Sequence, residues 1–274
     1  MTIGSSKTTA ILAFVLAFAG IFLIQGRALH AQTVPRHSRP APRSSSTAAK
    51  APKEIIVPFH ASEVLNYNVS WAAFKTAASV QLSVPERRNL FGWSTWHFRA
   101  AIHTNSPVRS LFAIDDEFDS YSDVFTFESR QYETYLNELG HKQDQILHFL
   151  PPGQASRISG SSVIVLPGTR DPAGALYELR TVDWKTHPTL ASNVYDGHDI
   201  YELKANIEAA EDKISVAAGT FSCSRIAVHL SQQGKDSGIS FVLWLANDGP
   251  RTPIQIQAVL PFGSLRVELV PAQQ

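Results

Sequence analysis

Residues 62–71 read SEVLNYNVSW, and this stretch decides the fold class. Its odd-numbered residues from Leu65 to Trp71 are apolar, and the even-numbered residues between them are polar. Such period-two alternation is typical of a β-strand with one buried and one wet face. The same alternation recurs over residues 80–84, 96–103, 254–258 and 265–269. The sequence therefore predicts a mainly β fold, built on an antiparallel sheet that is packed on one side.

Turn sequences separate the predicted strands. They are Leu139-Gly140, the GKDSG run at 234–238, Asp248-Gly249-Pro250 and Pro261-Phe262-Gly263. Their spacing predicts roughly ten strands, joined mostly in chain order. We expect these strands to form a curved, half-barrel-like antiparallel sheet, with one or two helices against its concave face.

One clear helix interrupts the strand pattern, from Pro172 to about Asp183. Asp171 is a good N-cap residue, and proline fits the first helical position after it. Leu176 and Leu179 recur at helical spacing and are expected to face the sheet. Arg180 lies in the last turn, where a cation suits the helix dipole, and Glu178 or Asp183 could pair with it.

The first 31 residues are typical of a signal peptide. Lys7 precedes an apolar run, Ala10–Ile24, that is too short to cross a membrane comfortably as a helix. Cleavage is expected after Ala28 or Ala31, and an uncleaved anchor is the alternative. We therefore expect a periplasmic or secreted protein.

Residues 32–57 are rich in proline, serine and basic side chains and poor in large apolar ones. Such a composition predicts a disordered linker. Its positive charge suits peripheral contact with an anionic envelope surface, and a solvated spacer is the simpler interpretation. A single β-rich domain is expected over residues 58–274.

Charge and cysteine content exclude several classes of function. Residues 1–57 hold seven basic side chains and one acid, which leaves 17 basic against 23 acidic residues in the rest of the chain. A net negative domain is poorly suited to nucleic acid. Cys223 is the sole cysteine, which excludes an internal disulfide and a multi-thiolate metal site. The histidines show no metal-ligand spacing, and nucleophile-elbow and phosphate-binding glycine motifs are absent, so we expect no cofactor, no metal and no enzyme activity.

The densest acidic stretch runs from Asp115 to Asp119, with Asp123 four residues further on. A solvated turn that leads into a strand near 124–127 is the first interpretation. Its oxygens could also bind Ca²⁺, but the glycine and distal glutamate of an EF-hand loop are missing. A hydrolase built on the Asp115–Asp123 acids is a third, weaker hypothesis.

Residues 239–246 are apolar on both strand faces, which predicts a central strand covered on both sides. Asp248-Gly249-Pro250 then turns the chain. In the structural interpretation, Arg251 stabilises this turn by pairing with Asp248 or another nearby carboxylate. In the functional interpretation, Arg251 binds an anionic head group at the entrance of a ligand pocket. Aromatic side chains could be core or pocket lining. The candidate ligand-binding residues are Trp244, Arg251, Trp184, Tyr177 and Arg180.

Four stretches carry a resemblance to a known family. They are 62–71, the DPAGALYELR helix at 171–180, VAAGTF at 216–221, and WLAND at 244–248 with Arg251 and Pro253 beyond it. Their order and spacing resemble the bacterial envelope family called domain of unknown function 3108 (DUF3108), from about Phe59 to Leu269. Ser62 departs from the glycine usual in that family. The resemblance implies an exported, mostly β protein and supplies no catalytic residue.

At the level of architecture, the predicted sheet is similar to periplasmic half-barrel carriers that enclose an acyl chain. Our leading hypothesis is therefore a non-enzymatic binder of an apolar or amphiphilic, lipid-like ligand. The alternative is a structural or interaction module with a filled core and no ligand. A carrier should leave a cavity of several hundred Å³ between its inward aromatic side chains, whereas a module should fill that space.

Overall fold

The computed structural model describes residues 53–150, 154–157, 162–260 and 263–272. Within these ranges the chain forms one antiparallel sheet of fourteen strands, one α-helix and a short 3₁₀ helix, Val108–Ser110. The mainly β, antiparallel prediction is confirmed, and the strands outnumber the roughly ten expected. The predicted signal peptide, 1–31, and most of the predicted linker lie outside the described residues.

The strands follow one another along the chain in two runs, on either side of the helix. The first run is β1 (Glu63–Trp71), β2 (Phe74–Leu90), β3 (Trp93–Thr104), β4 (Asp115–Asp123), β5 (Ser129–Glu138), β6 (His141–Leu150), β7 (Gln154–Arg157) and β8 (Ser162–Ile164). The second run is β9 (Thr189–Tyr195), β10 (Ile200–Val216), β11 (Gly219–Gln232), β12 (Lys235–Ala246), β13 (Pro253–Leu260) and β14 (Gly263–Leu269). The helix α1 spans Pro172–Thr181.

Each run is a meander in which neighbours in sequence are neighbours in the sheet. The two meanders join through their outermost strands, because β1 pairs antiparallel with β14. Tyr67 lies opposite Leu269 and Trp71 opposite Leu265 in that register. The first and last strands of the domain therefore lie in the middle of the sheet.

The sheet curves until its two ends approach each other. The ring of Phe149 on β6 lies 6.4 Å from that of Tyr195 on β9. Arg170, just before the helix, exchanges backbone hydrogen bonds of 2.8 Å with Asn193 and Tyr195 of β9. The curved, half-barrel-like prediction agrees with this geometry.

The helix α1 lies inside the curve. Asp171 caps it through Oδ1, which accepts from the Gly174 amide at 2.9 Å, and Pro172 occupies the first turn. Eight of its ten residues are buried, among them Leu176 and Leu179, which pack into the main core with apolar side chains from both meanders. The helix ends two residues earlier than predicted, because Val182 adopts an extended conformation. None of the described helices is long and apolar enough to cross a membrane.

Two long hairpins bend at β-bulges, so that their tips contact other strands of the sheet. In the β10–β11 pair, Ala209 lies opposite Arg225 and Asp212 lies opposite Cys223. Between these two pairs, β10 therefore contains one residue more than β11. The extra residue shifts the less exposed positions of β10 from odd to even numbers and bends the strands. As a result, the Ala218 amide at the hairpin tip donates to the Leu269 carbonyl of β14 at 3.3 Å.

The β2–β3 hairpin behaves in the same way. Its pairing shifts between Ser83 and Glu86, and the Phe91 ring at its tip lies 5.6 Å from the ring of His148 on β6. The tip thus covers part of the outer face of the sheet.

The prediction of a turn at Asp115–Asp119 is wrong. These residues form β4, and the turn follows at 124–128. The alternation was hidden because β4 is polar on both faces. Its inward Ser120 and Ser122 lie next to the helix instead of contributing apolar side chains to the core.

Candidate functional site

Four of the five candidate ligand-binding residues meet at the C-terminal end of α1. Arg180 is buried there and forms a bidentate ion pair with Glu63 of β1, at 2.6 and 2.9 Å. Its Nη2 also donates to the Pro250 carbonyl at 3.0 Å. The acid partner is therefore neither Glu178 nor Asp183, because the side chain points across the barrel interior instead of along its own helix.

Aromatic rings enclose this ion pair. The Arg180 guanidinium carbon lies 5.2 Å from the ring centre of Phe59 and 5.1 Å from that of Tyr177. The Tyr177 ring in turn stacks on Phe98 at 3.9 Å. Burial lowers the pKa of Arg180, but the bonds and charge of Glu63 outweigh it, and the pKa stays above its usual value. The pair is therefore a fixed charge pair in an apolar shell.

Arg251 donates hydrogen bonds to the helix end, and among the described residues no ion pair joins it to Asp248. Its Nη1 donates to the carbonyls of Arg180, Thr181 and Val182 at 3.2, 2.8 and 2.9 Å. The predicted contact with the Asp248 carboxylate is wrong, because the last helical carbonyls lack partners within the helix and attract the nearest cation. Arg251 clamps the turn to the helix.

Trp184 completes this end of the helix. Its side chain is buried, and its Nε1 donates to the Leu179 carbonyl at 3.0 Å. The fold thus brings together Tyr177, Arg180, Trp184 and Arg251. Their hydrogen bonds join them to Glu63, to the Pro250 carbonyl and to carbonyls at the end of α1.

Trp244 lies elsewhere. On β12 it pairs with Arg225 and Gln255 on the outward face, and its Nε1 donates to Asp212 Oδ2 at 2.9 Å. The neighbouring Cys223 is fully buried, and burial raises the pKa of its thiol to about 11, as expected of a small core side chain.

The N-terminal end of α1 is also held by buried polar contacts. Asp171 Oδ2 accepts from the hydroxyls of Ser120 and Ser129 at 2.7 and 2.5 Å. Burial raises the pKa of Asp171, and these hydroxyl donors with the Gly174 amide oppose that shift. Polar side chains inside the barrel therefore hold the helix in place.

The outward acids of β4 are matched with cations. Asp119 accepts from His97 at 2.5 Å and from Arg99 at 2.8 and 3.0 Å. Burial alone would raise the pKa of Asp119, but the bonds from His97 and Arg99 lower it. Asp123 pairs with Arg130 in the same manner, at 3.1 Å. The lowered pKa of Asp119 does not suit a general acid for hydrolysis.

Asp116 differs from these acids because it points inward. Its Oδ1 accepts from the Asn137 amide at 2.8 Å, whereas Oδ2 has no hydrogen-bond partner among the described residues. Burial raises the pKa of Asp116 to about 6. The described residues contain no group of three or more His, Cys, Asp or Glu side chains that could hold a metal ion.

The outer face of β1–β4 forms a trough of about 750 Å³, which the sequence did not reveal. Two rows of outward residues cross these four strands in register. One row is Asn66, Gln81, Ala101 and Glu117, and the other is Asn68, Ser79, His103 and Asp115. Thr76 and Asn105 line one end of the trough. Each position is an ordinary wet-face residue in sequence, and only the strand order brings them together.

Comparison with known families identifies the chain. The family described as "Protein of unknown function (DUF3108)" matches residues 66–270, so the chain belongs to this family. No curated protein matches the chain.

Three solved structures are similar to the chain at low sequence identity. A β-barrel-like protein of domain of unknown function DUF1849 from Brucella abortus is similar with a TM-score of 0.52 and 10% identity, covering 76% of this chain and 95% of that chain. A candidate lipoprotein from Parabacteroides distasonis has a TM-score of 0.37 and 9% identity, covering 80% and 99%. A candidate exported protein from Bacteroides fragilis has a TM-score of 0.31 and 8% identity, covering 81% and 100%. Of these, the DUF1849 structure supports the barrel-like fold and nothing about function.

Proposed function

We propose that this member of the DUF3108 family is a non-enzymatic interaction module of the bacterial cell envelope. In this proposal the sheet is packed around its own helix, encloses no apolar ligand and meets its partners through its outer surface. The envelope location is supported by the signal-like sequence of residues 1–31.

The observation that carries the proposal is the burial of α1. Leu176 and Leu179 occupy the concave side of the sheet, which in the lipid-carrier hypothesis would hold an acyl chain. The helix is attached at both ends by buried polar contacts, through Asp171 and through the Arg180–Glu63 pair. Displacing it would expose an ion pair and a capping carboxylate to an apolar ligand, which is costly.

The proposed absence of enzyme activity is supported by the pairing of the acids. The outward carboxylates Asp119 and Asp123 are bonded to arginines, and Asp171 is bonded to serine hydroxyls. Because their oxygens are engaged by other side chains of the protein, we infer that these carboxylates have a structural role.

Mass spectrometry of lipids extracted from the protein purified out of its native envelope tests the filled interior. We expect far less than one lipid per chain. Stoichiometric lipid in the unmodified protein would overturn the proposal and favour the lipid-carrier hypothesis.

Amino-terminal sequencing tests the envelope location. Exported protein should begin near Leu29 or Gln32, after signal cleavage. An intact Met1 or Thr2 in a membrane fraction would favour the uncleaved anchor, and an intact amino terminus in the cytoplasm would overturn the location.

A further inference from the structure

We propose that the trough on the outer face of β1–β4 binds a neutral, hydroxyl-rich ligand of the glycan class. This inference goes beyond the proposed function, because it assigns a site and a ligand chemistry to the outer surface. It stands on the cavity, the register of its lining residues and the pairing of their charges.

Several side chains of the lining can both donate and accept hydrogen bonds. Carboxamides come from Asn66, Asn68, Gln81 and Asn105, and a hydroxyl comes from Ser79. A carboxamide offers two donor hydrogens and an acceptor oxygen, so it can satisfy a sugar hydroxyl in either role. Amide and hydroxyl side chains in such numbers match a polyol better than any ligand with a single hydrogen-bonding character.

These side chains are held in position before any ligand arrives. Gln81 Nε2 donates to Asn66 Oδ1 at 3.0 Å, and Asn105 Nδ2 donates to Ser79 Oγ at 3.0 Å. Asn68 Nδ2 donates to the Lys75 carbonyl at 2.8 Å. Each amide retains further hydrogen-bonding capacity after these contacts, so a ligand finds oriented groups and loses less side-chain entropy on binding.

The charges in the trough disfavour an anionic ligand. Arg109 holds Asp115 through two bonds of 3.0 and 2.8 Å, and Arg99 lies 3.2 Å from Glu117. Both arginines are thus engaged by carboxylates of the protein, and those carboxylates would repel a phosphate or sulfate. A neutral ligand avoids this repulsion.

The outward rows also disfavour an acyl chain, because polar side chains surround Ala101. Ala101 lies between Gln81 and Glu117, and its small side chain leaves the sheet surface low at that point. We place one sugar ring over Ala101, with the amides on one side and Glu117 on the other. The volume of about 750 Å³ falls within the range of small-molecule sites and accommodates several linked sugar rings.

Isothermal titration of the mature protein with two neutral probes, chitotetraose and cellotetraose, tests the proposal. We expect saturable binding of at least one probe, and no comparable binding of palmitate or of a sulfated tetrasaccharide. Gln81→Ala should weaken binding about tenfold, as expected when a ligand loses hydrogen bonds to a positioned group. Ala101→Leu should weaken binding at least as much by filling the low point of the trough.

Gln257→Ala is the matched control, because Gln257 is an amide on β13 that pairs with Arg266, outside the trough. It should leave the affinity within about twofold, the usual range for a residue that does not contact the ligand. The proposal is overturned if neither neutral probe binds, if Gln81→Ala and Ala101→Leu bind as tightly as the unmodified protein, or if the sulfated probe binds more tightly. Lipid found in the interior would defeat the proposed function alone, because the trough lies on the opposite face of the sheet.

Discussion

Both faces of the sheet carry arginine–carboxylate pairs, but the pairs differ in their exposure to water and in the number of their partners. On the inner side, Arg180 and Glu63 form one isolated pair, with side-chain exposures of 1% and 8%, among aromatic rings. On the outer side, Arg99 is 39% exposed and is shared between Asp119 and Glu117, while His97 also bonds Asp119. The inner pair has one arrangement, whereas the partly exposed Arg99 has two carboxylate partners and contact with water.

This difference determines what each pair contributes. Removing one member of a buried pair leaves an uncompensated charge away from water, whereas exposed pairs are screened and contribute little. The Arg180–Glu63 pair therefore fixes the helix, whereas half-exposed outer pairs such as Arg99–Glu117 and Arg87–Glu54 contribute little to the stability of the fold. Four substitutions test this contrast.

Arg180→Leu should have the largest effect. The change leaves Glu63 buried without its partner and the Pro250 carbonyl without a donor, which should cost about 3–5 kcal/mol of unfolding free energy. Urea unfolding followed by circular dichroism measures it. The double variant Glu63→Leu, Arg180→Leu should recover part of the loss, because it removes both charges. If Arg180→Leu were as stable as the unmodified protein, the buried Arg180–Glu63 pair would not stabilise the fold as described.

Leu176→Ala should follow, with a loss of about 2–5 kcal/mol from the lost burial and the cavity left behind. Leu176 is 2% exposed inside the barrel, whereas Val259 is 77% exposed outside it. The control Val259→Ala should therefore change stability by no more than about 0.5 kcal/mol. Equal losses in the two variants would show that the helix is not packed as described.

Asp116→Asn tests whether the inward Asp116, unlike its outward neighbours, makes the stability of the protein depend on pH. Because burial raises the folded pKa of Asp116 to about 6, its ionisation costs stability as the pH rises from the unfolded value of about 4 to 6, and the cost is complete above 6. The asparagine variant should thus melt higher than the unmodified protein at pH 7.5 and show little difference at pH 4. Thermal scans at both pH values measure it. The same melting difference at both would mean that Asp116 ionises without penalty.

Arg87→Leu should have the smallest effect. Arg87 pairs with Glu54 at 2.8 Å, with side-chain exposures of 40% and 49%, so its removal should cost about 0.5 kcal/mol or less. It makes the same chemical change as Arg180→Leu on the outer surface. If its loss approached that of Arg180→Leu, the contrast between the two faces would fail.

Local signals in the sequence predicted the helix and the strand class correctly. Asp171, Pro172 and the spacing of Leu176 and Leu179 act within a few residues, and the cap observed is the cap predicted. Contacts between residues distant in sequence could not be predicted. Glu63, the partner of Arg180, lies 117 residues away, and no local pattern selects it over Glu178.

The trough was beyond prediction for a related reason. Asn66, Gln81 and Glu117 come from three separate strands, and each looks like any solvated position of a strand. Their proximity depends on bulges and register, which hydrophobic alternation does not specify. Likewise, β4 was missed because its inward serines serve the helix cap, which inverted the expected apolar pattern.

The pairing of β1 with β14 has a consequence for how the chain reaches its native state. Tyr67 and Leu269 are about 200 residues apart, so this seam closes a very long loop, whereas the hairpins on either side form locally. The two meanders can therefore assemble early, but the sheet becomes continuous only after β14 has been synthesised. Until then β1 and β13 remain open edges, each a template for pairing with another chain. Loss of β14 would leave both edges open, and we expect it to cause aggregation.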